Sequence, residues 1–217
     1  SANARFGVRT ITTDIELLNT ADWIRARDAF GNSSTLDVLG VSNLNDLPDT
    51  DWMDVMFDTG IEQEYNLSIA SKNEKTSFFL SGGYLSEKGV YLDTRADRYS
   101  FRNNIDYKFN KHITIGESLY GSATKTNPAT NSSIYNHTIP FRTTPVSPVY
   151  DENGDFAKTN DKVGSGPNFA GLEDAFHVFN DNNYSLNAQA YININFIKGL
   201  DLKVTGAADI NAFSKNT

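Results

Sequence analysis

The acidic turn Asp151-Glu152-Asn153-Gly154-Asp155 is the densest group of possible metal ligands in the sequence. Oxygen ligands at alternating positions suit Ca²⁺, but no bidentate acid follows at the far end of this loop. An Asn-Gly pair also favours a simple reverse turn. We therefore expect a turn here rather than a calcium site.

Groups that could catalyse a reaction are scattered along the chain. His112, His137 and His177 lack the spacing of a zinc-binding helix, so we expect ordinary surface or lumen positions for them. The absence of cysteine excludes disulfides, thiolate nucleophiles and Cys-based zinc sites. No carboxylate pair and no nucleophile with a nearby base stands out. We expect a protein that is not an enzyme and that holds no cofactor or metal.

Composition narrows the possible classes of protein further. The chain has 217 residues, a net charge of −8 and a pI near 4.8, which argues against nucleic acid as a partner. Its apolar residues never form the run of about 18 that a membrane helix needs. A membrane β-strand escapes that test because only alternate residues face lipid. No secretory signal opens the sequence, so we expect any leader to lie outside it.

In several segments of the chain polar and apolar residues alternate, and this pattern predicts β-strands. Residues 64–109 predict three strands, joined by a tight turn at Ser71–Lys75 and a longer connection at Ser86–Asp97. Further strands are predicted at 5–12, at 113–121, and on both sides of Lys198-Gly199. Short helices are predicted at 14–30, with Thr13 or Asp14 as the N-cap, and at 52–57. Residues 32–50 and 124–183 are predicted as loops.

The predicted connections alternate between tight and long. The tight ones are at 71–75, 110–111 and 198–199, and the long ones at 13–62, 86–97 and 122–183. This alternation is typical of outer-membrane barrels, which have short periplasmic turns and long external loops. Strands of about 11 residues, tilted by about 40°, span about 27 Å, which matches the apolar band of such barrels.

The pattern therefore favours an all-β fold, an antiparallel up-and-down meander forming part of a transmembrane β-barrel, with short helices in its long loops. About six or seven strands cannot close a barrel alone, since single-chain bacterial barrels have about 8 or more. A soluble antiparallel sheet with one face in bulk water remains open at this point.

Several segments resemble one family, the SusC/RagA TonB-linked outer-membrane transporters. The similar segments are NTADWI (19–24), DTDWMDVMFDTGIEQEYNLSIASKNEKTSFFLSGGYLSEKGV (49–90), RYSFRNNIDYKFNKHITIG (98–116) and SPVYDENGDF (147–156). The resemblance implies that residues 1–217 are the N-terminal part of the barrel, without the plug, the TonB box or the rest of the barrel. It also implies a parent in the outer membrane that imports glycans or peptides, with TonB and a SusD-like lipoprotein as partners.

On this resemblance, the long loops help to shape the external vestibule. Five loop residues are candidates for contact with sugar or peptide, chosen from loop position alone: Tyr135, Phe141, Tyr150, Asn168 and Phe176. Two other functions remain open, a soluble β module that binds glycan or protein and a passive pore or adhesin segment. Ser81-Gly82-Gly83 lacks the lysine of a phosphate loop, and two glycines in a strand predict a bend or a close backbone approach.

Overall fold

A computed structural model describes residues 1–12, 15–31, 33–128, 140–176 and 180–216. Its strands form one antiparallel sheet of seven strands in which each strand pairs with the next one in the chain. The strands are β1 (Ala2–Arg9), β2 (Gly60–Lys72), β3 (Thr76–Lys88), β4 (Arg95–Lys108), β5 (Ile113–Asn127), β6 (Asn180–Ile197) and β7 (Leu200–Asn216). The predicted up-and-down meander is confirmed.

The tight turns gather at one end of the sheet. Connections 73–75, 109–112 and 198–199 lie there, and connections 10–59, 89–94 and 128–179 lie at the other end. The connection predicted over Ser86–Asp97 is shorter than expected, because pairing continues to Lys88 and Arg95. We call the two ends the turn end and the loop end.

The two faces of the sheet differ in the way the alternation predicts. Directly paired residues share a face, so the pairs Tyr65–Tyr84 and Leu186–Ile210 belong to one side and Arg98–Leu85 to the other. The side that carries the aliphatic and aromatic rows is called the apolar face, and the other the polar face. Phe6, Leu67 and Ile210 on the apolar face are 67%, 67% and 57% exposed. A self-contained sandwich would bury these rows, so the soluble-sheet alternative is not supported.

The helices lie in the connections at the loop end. They are α1 (Thr20–Phe30), α2 (Thr35–Leu39), α3 (Trp52–Met56) and α4 (Phe169–Phe176). The helix predicted over 14–30 begins later, because the Asn19 side chain caps it by accepting from the Asp22 N–H at 2.8 Å. The predicted cap residues Thr13 and Asp14 lie outside the described residues.

Two connections hold more structure than predicted. Residues 32–50 contain α2 and a 3₁₀ turn at Leu44–Asp46, and 124–183 contain the ends of β5 and β6 as well as α4. In the short α3, Asp51 caps the helix by accepting from Met53 N at 2.8 Å. Among the described residues, no helix has the length and hydropathy needed to cross a membrane.

The buried core lies in the loops rather than under the sheet. Trp52, Met56 and Phe169 form it, and Trp52 and Met56 are almost fully buried. These residues come from two long connections, 10–59 and 128–179, so the core joins loops that are distant in sequence. We call this packed region the loop cap. It sits at one end of an open sheet, which leaves both faces of the sheet free for other contacts.

Candidate functional site

A network of ion pairs covers the polar face of β1, β2 and β3. Arg5 Nη2 lies 2.7 Å from Glu62 Oε1 and 2.9 Å from Glu64 Oε2. Arg9 contacts the same Glu62 and also reaches Glu87 Oε1 at 2.7 Å. Glu62 is therefore a shared acceptor for two arginines of the neighbouring strand β1. Such networks fix side-chain positions on a wet surface, although each exposed pair adds little stability.

The polar face of β4 to β7 is held by hydrogen bonds between strands. The Tyr191 hydroxyl donates to Asp106 Oδ1 at 2.6 Å, and the Lys203 ammonium lies 4.0 Å from the centroid of the Tyr191 ring. Asn187 Nδ2 donates to Asp209 Oδ1 at 2.5 Å. This half of the face is therefore polar and only mildly charged, which suits a surface that borders water.

The loop cap is tied together across the two long connections. The indole Nε1 of buried Trp52 donates to the Thr144 carbonyl at 3.2 Å, and Thr50 N donates to the Pro145 carbonyl at 2.9 Å. Hydroxyl contacts continue from Thr144 to Ser147 and on to Ser165 at 3.0 and 2.8 Å. These bonds set the position of segment 141–147 relative to α3, and therefore shape the cleft described next.

A cleft of about 420 Å³ opens between the two long connections. The guanidinium of Arg27 lies 5.4 Å from the centroid of the Trp23 ring, and its Nη1 donates to the Val163 carbonyl at 2.8 Å. Phe141 and Arg142 line the opposite wall, and Glu16 contributes one acid. Aromatic faces beside guanidinium groups are suited to stacking on sugar or peptide groups and to binding their polar oxygens.

The structure brings only part of the predicted contact set to this cleft. Phe141 lines it and is 45% exposed. Tyr150 stacks on Phe156 with centroids 5.1 Å apart and is not among the residues that line the cleft. Phe176 is the last residue of α4, and Tyr135 lies outside the described residues.

Asn168 has a role within the loop cap. Its side-chain Nδ2 donates to the Val149 and Ala157 carbonyls at 2.7 and 3.1 Å, and its Oδ1 accepts from Gly171 N at 3.2 Å. These contacts connect the start of α4 to the segment around Tyr150. They use most of the amide's bonding capacity, and its role in ligand contact stays a prediction.

The acidic turn adopts the predicted reverse-turn geometry. Asp151 Oδ1 accepts from Asn153 N at 2.9 Å and Asp155 N at 3.1 Å, and Gly154 has a φ of 86°. The Asp151 carboxylate therefore closes its own loop. Within the ranges that the structure describes, no three His, Asp or Glu side chains are grouped to hold a metal ion.

An ion pair joins the end of β3 to the loop cap. Lys88 Nζ lies 2.5 Å from Asp58 Oδ2, and the backbone N–H of Thr59 donates to Asp58 Oδ1 at 2.6 Å. The Lys88 hydrogen bond, followed by that of Thr59, holds the pKa of Asp58 below its ordinary value. Asp58 N also donates to the Val90 carbonyl at 2.8 Å, so this corner fixes connection 89–94.

Two features of the site were missed from the sequence. Trp23 and Arg27 are four residues apart on α1, a spacing that places them on one helix face and was available as a signal. Arg142 has no such local signal, because only tertiary packing brings it to the cleft. Tyr120 lies on the polar face of β5, where the central carbon of the Arg102 guanidinium is 5.3 Å from the centroid of the Tyr120 ring.

Comparison with known proteins finds relatives among the TonB-dependent receptors of Formosa agariphila. Receptor P3 is 23% identical over 119 residues, which cover 55% of this chain and 11% of the receptor. Receptor P39 is 22% identical over 205 residues, covering 88% of this chain and 18% of the receptor. The chain therefore spans between a tenth and a fifth of the length of these curated relatives. No family model matches the chain.

Solved structures with the same fold include those of the RagAB peptide importer. Its closed-closed state aligns with a TM-score of 0.72 and 23% identity, covering 97% of this chain and 27% of that chain. Its open-open state aligns with a TM-score of 0.75 and 21% identity over the same shares. The sheet with its loop cap thus has the fold of a transporter barrel section.

The chain is thus similar in sequence to TonB-dependent receptors and in fold to the RagAB peptide importer. These comparisons confirm the resemblance that the motifs of the chain predict.

Proposed function

We propose that this chain builds part of the wall and external loops of an outer-membrane transporter that imports oligosaccharides or peptides with TonB-derived energy. The observation that carries the proposal is the seven-stranded meander with one exposed apolar face, one polar face and a folded loop cap. An apolar face of this kind suits acyl chains, and the polar face suits a water-filled lumen.

Residues 1–217 form the N-terminal part of the barrel in this proposal, and a longer protein supplies the other strands and the plug. The two outer strands β1 and β7 each pair on one side only within the described residues. Barrel closure requires partners at both edges. The loop end then faces outward, because barrels of this kind keep their tight turns on the periplasmic side.

In this proposal the loop cap forms part of the substrate vestibule. Trp23 and Phe141 offer rings for stacking, and Arg27 and Arg142 offer donors for ligand oxygens. A SusD-like surface lipoprotein would cover this side and pass substrate to it. TonB would act from the periplasmic side on a segment outside this chain.

A growth experiment tests the transport proposal. Cells whose sole nutrient is one oligosaccharide or peptide from a panel should lose growth on at least one of them when the gene for the full-length protein is deleted. The same growth should fail when TonB is inactivated. Growth that persists without TonB would instead indicate a passive pore, and a gene deletion that affects no nutrient would contradict the proposal.

Substitutions in the cleft test its role in binding. Trp23→Ala and Phe141→Ala in the full-length protein should each weaken substrate binding about 2- to 10-fold, since a lost stacking contact is worth about 0.5–1.5 kcal/mol. Calorimetric titration with the nutrient found in the growth experiment measures the change. Phe30→Ala is the matched control, because Phe30 is 93% exposed and lies at the end of the same helix.

A further inference from the structure

A groove runs along β5 on the apolar face of the sheet, near the loop end. It holds about 400 Å³ and is almost wholly apolar. Its floor is made by the small residue Ala123 and by the part of the Phe101 ring that covers Gly121. Its walls are made by larger side chains on the neighbouring strands, namely Tyr99 and Phe101 on β4 and Tyr184 and Leu186 on β6.

The groove ends at a cation. Successive residues on this face of β5 are Gly121, Ala123, Lys125 and Asn127, because side chains of a strand point to the same side at every second position. Lys125 therefore follows the floor of the groove by about 7 Å along the strand. Lys88 and Arg95 lie close by, and together with Lys125 they border a polar cavity of about 530 Å³.

Most charges around this cavity are already paired. Arg95 Nε lies 2.8 Å from Asp97 Oδ2, whose other oxygen accepts from the Tyr84 hydroxyl at 2.9 Å. Lys88 pairs with Asp58 at 2.5 Å. Lys125 is exposed and makes no ion pair with any residue that the structure describes, although Asp93 also borders the cavity. Its ammonium group is thus available to an outside anion.

The geometry points to a binding site for a phosphate-bearing lipid, with one acyl chain in the groove along β5 and the phosphate on Lys125. This inference rests on the proposed placement of the sheet in the outer membrane, where the apolar face meets acyl chains and the loop end meets head groups. A soluble anion would gain nothing from the groove, and an uncharged apolar chain nothing from Lys125. Only an amphiphile with both parts uses the whole site.

The position of the aromatic rings agrees with this occupant. Tyr99 and Tyr184 are the outermost apolar-face aromatics of β4 and β6, and both are more than half exposed. Tyrosines at this level are typical of the border between acyl chains and head groups. Their rings bracket Ala123, and an acyl chain entering from the head-group side would pass between them.

A binding experiment with the full-length protein tests the site. The protein is delipidated in detergent and titrated with phosphatidic acid, with diacylglycerol of the same chains, or with inorganic phosphate, and bound lipid is counted by native mass spectrometry. We expect retention of phosphatidic acid in preference to the other two. Lys125→Gln should weaken that binding about tenfold, the size of one lost charge-assisted hydrogen bond. Ala123→Leu, which fills the floor, should weaken binding of phosphatidic acid to a similar degree.

Matched controls separate this site from general lipid binding. Ala190→Leu adds the same volume to the apolar face of β6 away from the groove, and Lys198→Gln removes a lysine at the turn end. Both should bind phosphatidic acid as the parent protein does. The inference would be overturned if controls and test variants lost phosphatidic acid binding equally, or if neither test variant lost it. Binding of inorganic phosphate as tight as that of phosphatidic acid would also overturn it. If the full-length protein retains phosphatidic acid as expected but supports no TonB-dependent uptake, the result would count against the proposed function alone.

Discussion

At the scale of single residues, Trp52 connects two loops that lie far apart in the sequence. It is 1% exposed, packs with Met56 and Phe169, and donates from its indole to the Thr144 carbonyl. Deleting a buried aromatic side chain removes its transfer free energy and leaves a cavity. Its contacts lie in the loop cap, and the strand ladders do not depend on them.

Trp52→Ala is therefore predicted to destabilise the loop cap by about 3–5 kcal/mol while the sheet persists. Hydrogen exchange of the full-length protein should show faster exchange in segment 140–176 and unchanged exchange in β3 and β4. Phe30→Ala provides the comparison, since Phe30 is 93% exposed and should change neither segment. Exchange that accelerates equally in the strands would contradict a separate loop cap.

Asp58 makes the stability of the loop end depend on pH. Lys88 and the Thr59 N–H lower its folded-state pKa below the ordinary 3.8. A group with a depressed folded pKa stabilises the fold above its unfolded pKa and loses that effect as the pH falls through the folded value. We predict that Asp58→Asn lowers the melting temperature at pH 7, and that this difference disappears as the pH falls below 3.8.

Melting of the full-length protein in detergent across this pH range measures the effect. Asp54→Asn removes a carboxylate from the neighbouring helix α3, outside the Lys88 pair, and serves as the charge-matched control. A difference between wild type and Asp58→Asn that stays constant down to acid pH would show that protonation of Asp58 is not its cause.

At the scale of elements, the β6–β7 hairpin depends on one backbone conformation. Gly199 has a φ of 88°, a left-handed value that costs residues with a Cβ about 1–2 kcal/mol. Gly199→Ala is predicted to lower the free energy of unfolding by about 1–2 kcal/mol, although space around it is open. Urea unfolding of the full-length protein, followed by tryptophan fluorescence, provides the measurement.

Gly206→Ala on β7 is the matched control for the turn. A Cβ at Gly206 meets no atom within 4 Å, and this glycine lacks the left-handed φ. It should unfold at the same urea concentration as the wild type or a slightly higher one, because alanine suits a strand better than glycine does. If both alanine variants lose stability equally, the backbone conformation at Gly199 is not the reason.

The sequence predicted the strands better than the loops, for a physical reason. Alternation every second residue is a local property, so the faces of β4, β6 and β7 and the turn at Lys198-Gly199 could be predicted. The start of α1 could not, because Asn19 competes with Thr13 and Asp14 as a cap and only packing decides. The cleft depends on contacts between Arg27 and segment 141–163, which no local pattern encodes.

At the scale of the whole molecule, the two faces of the sheet should respond differently to charge. Ala207 and Ala208 are adjacent on β7, and their pairing with Gln189 and Ala188 places them on the polar and apolar faces. Both are exposed in the sheet, so an added side chain meets solvent or lipid rather than a packed core. The same substitution at these positions therefore compares the two environments directly.

Ala208→Arg is predicted to destabilise the full-length protein by about 2–4 kcal/mol in lipid bilayers, the cost of an arginine on the lipid side near mid-depth. Ala207→Arg should cost much less, because its guanidinium would extend into a wet lumen. Folding equilibria in bilayers, measured by urea titration, give both values. Equal costs at the two positions would mean that both faces meet water, and the sheet would then not be the wall of a membrane barrel.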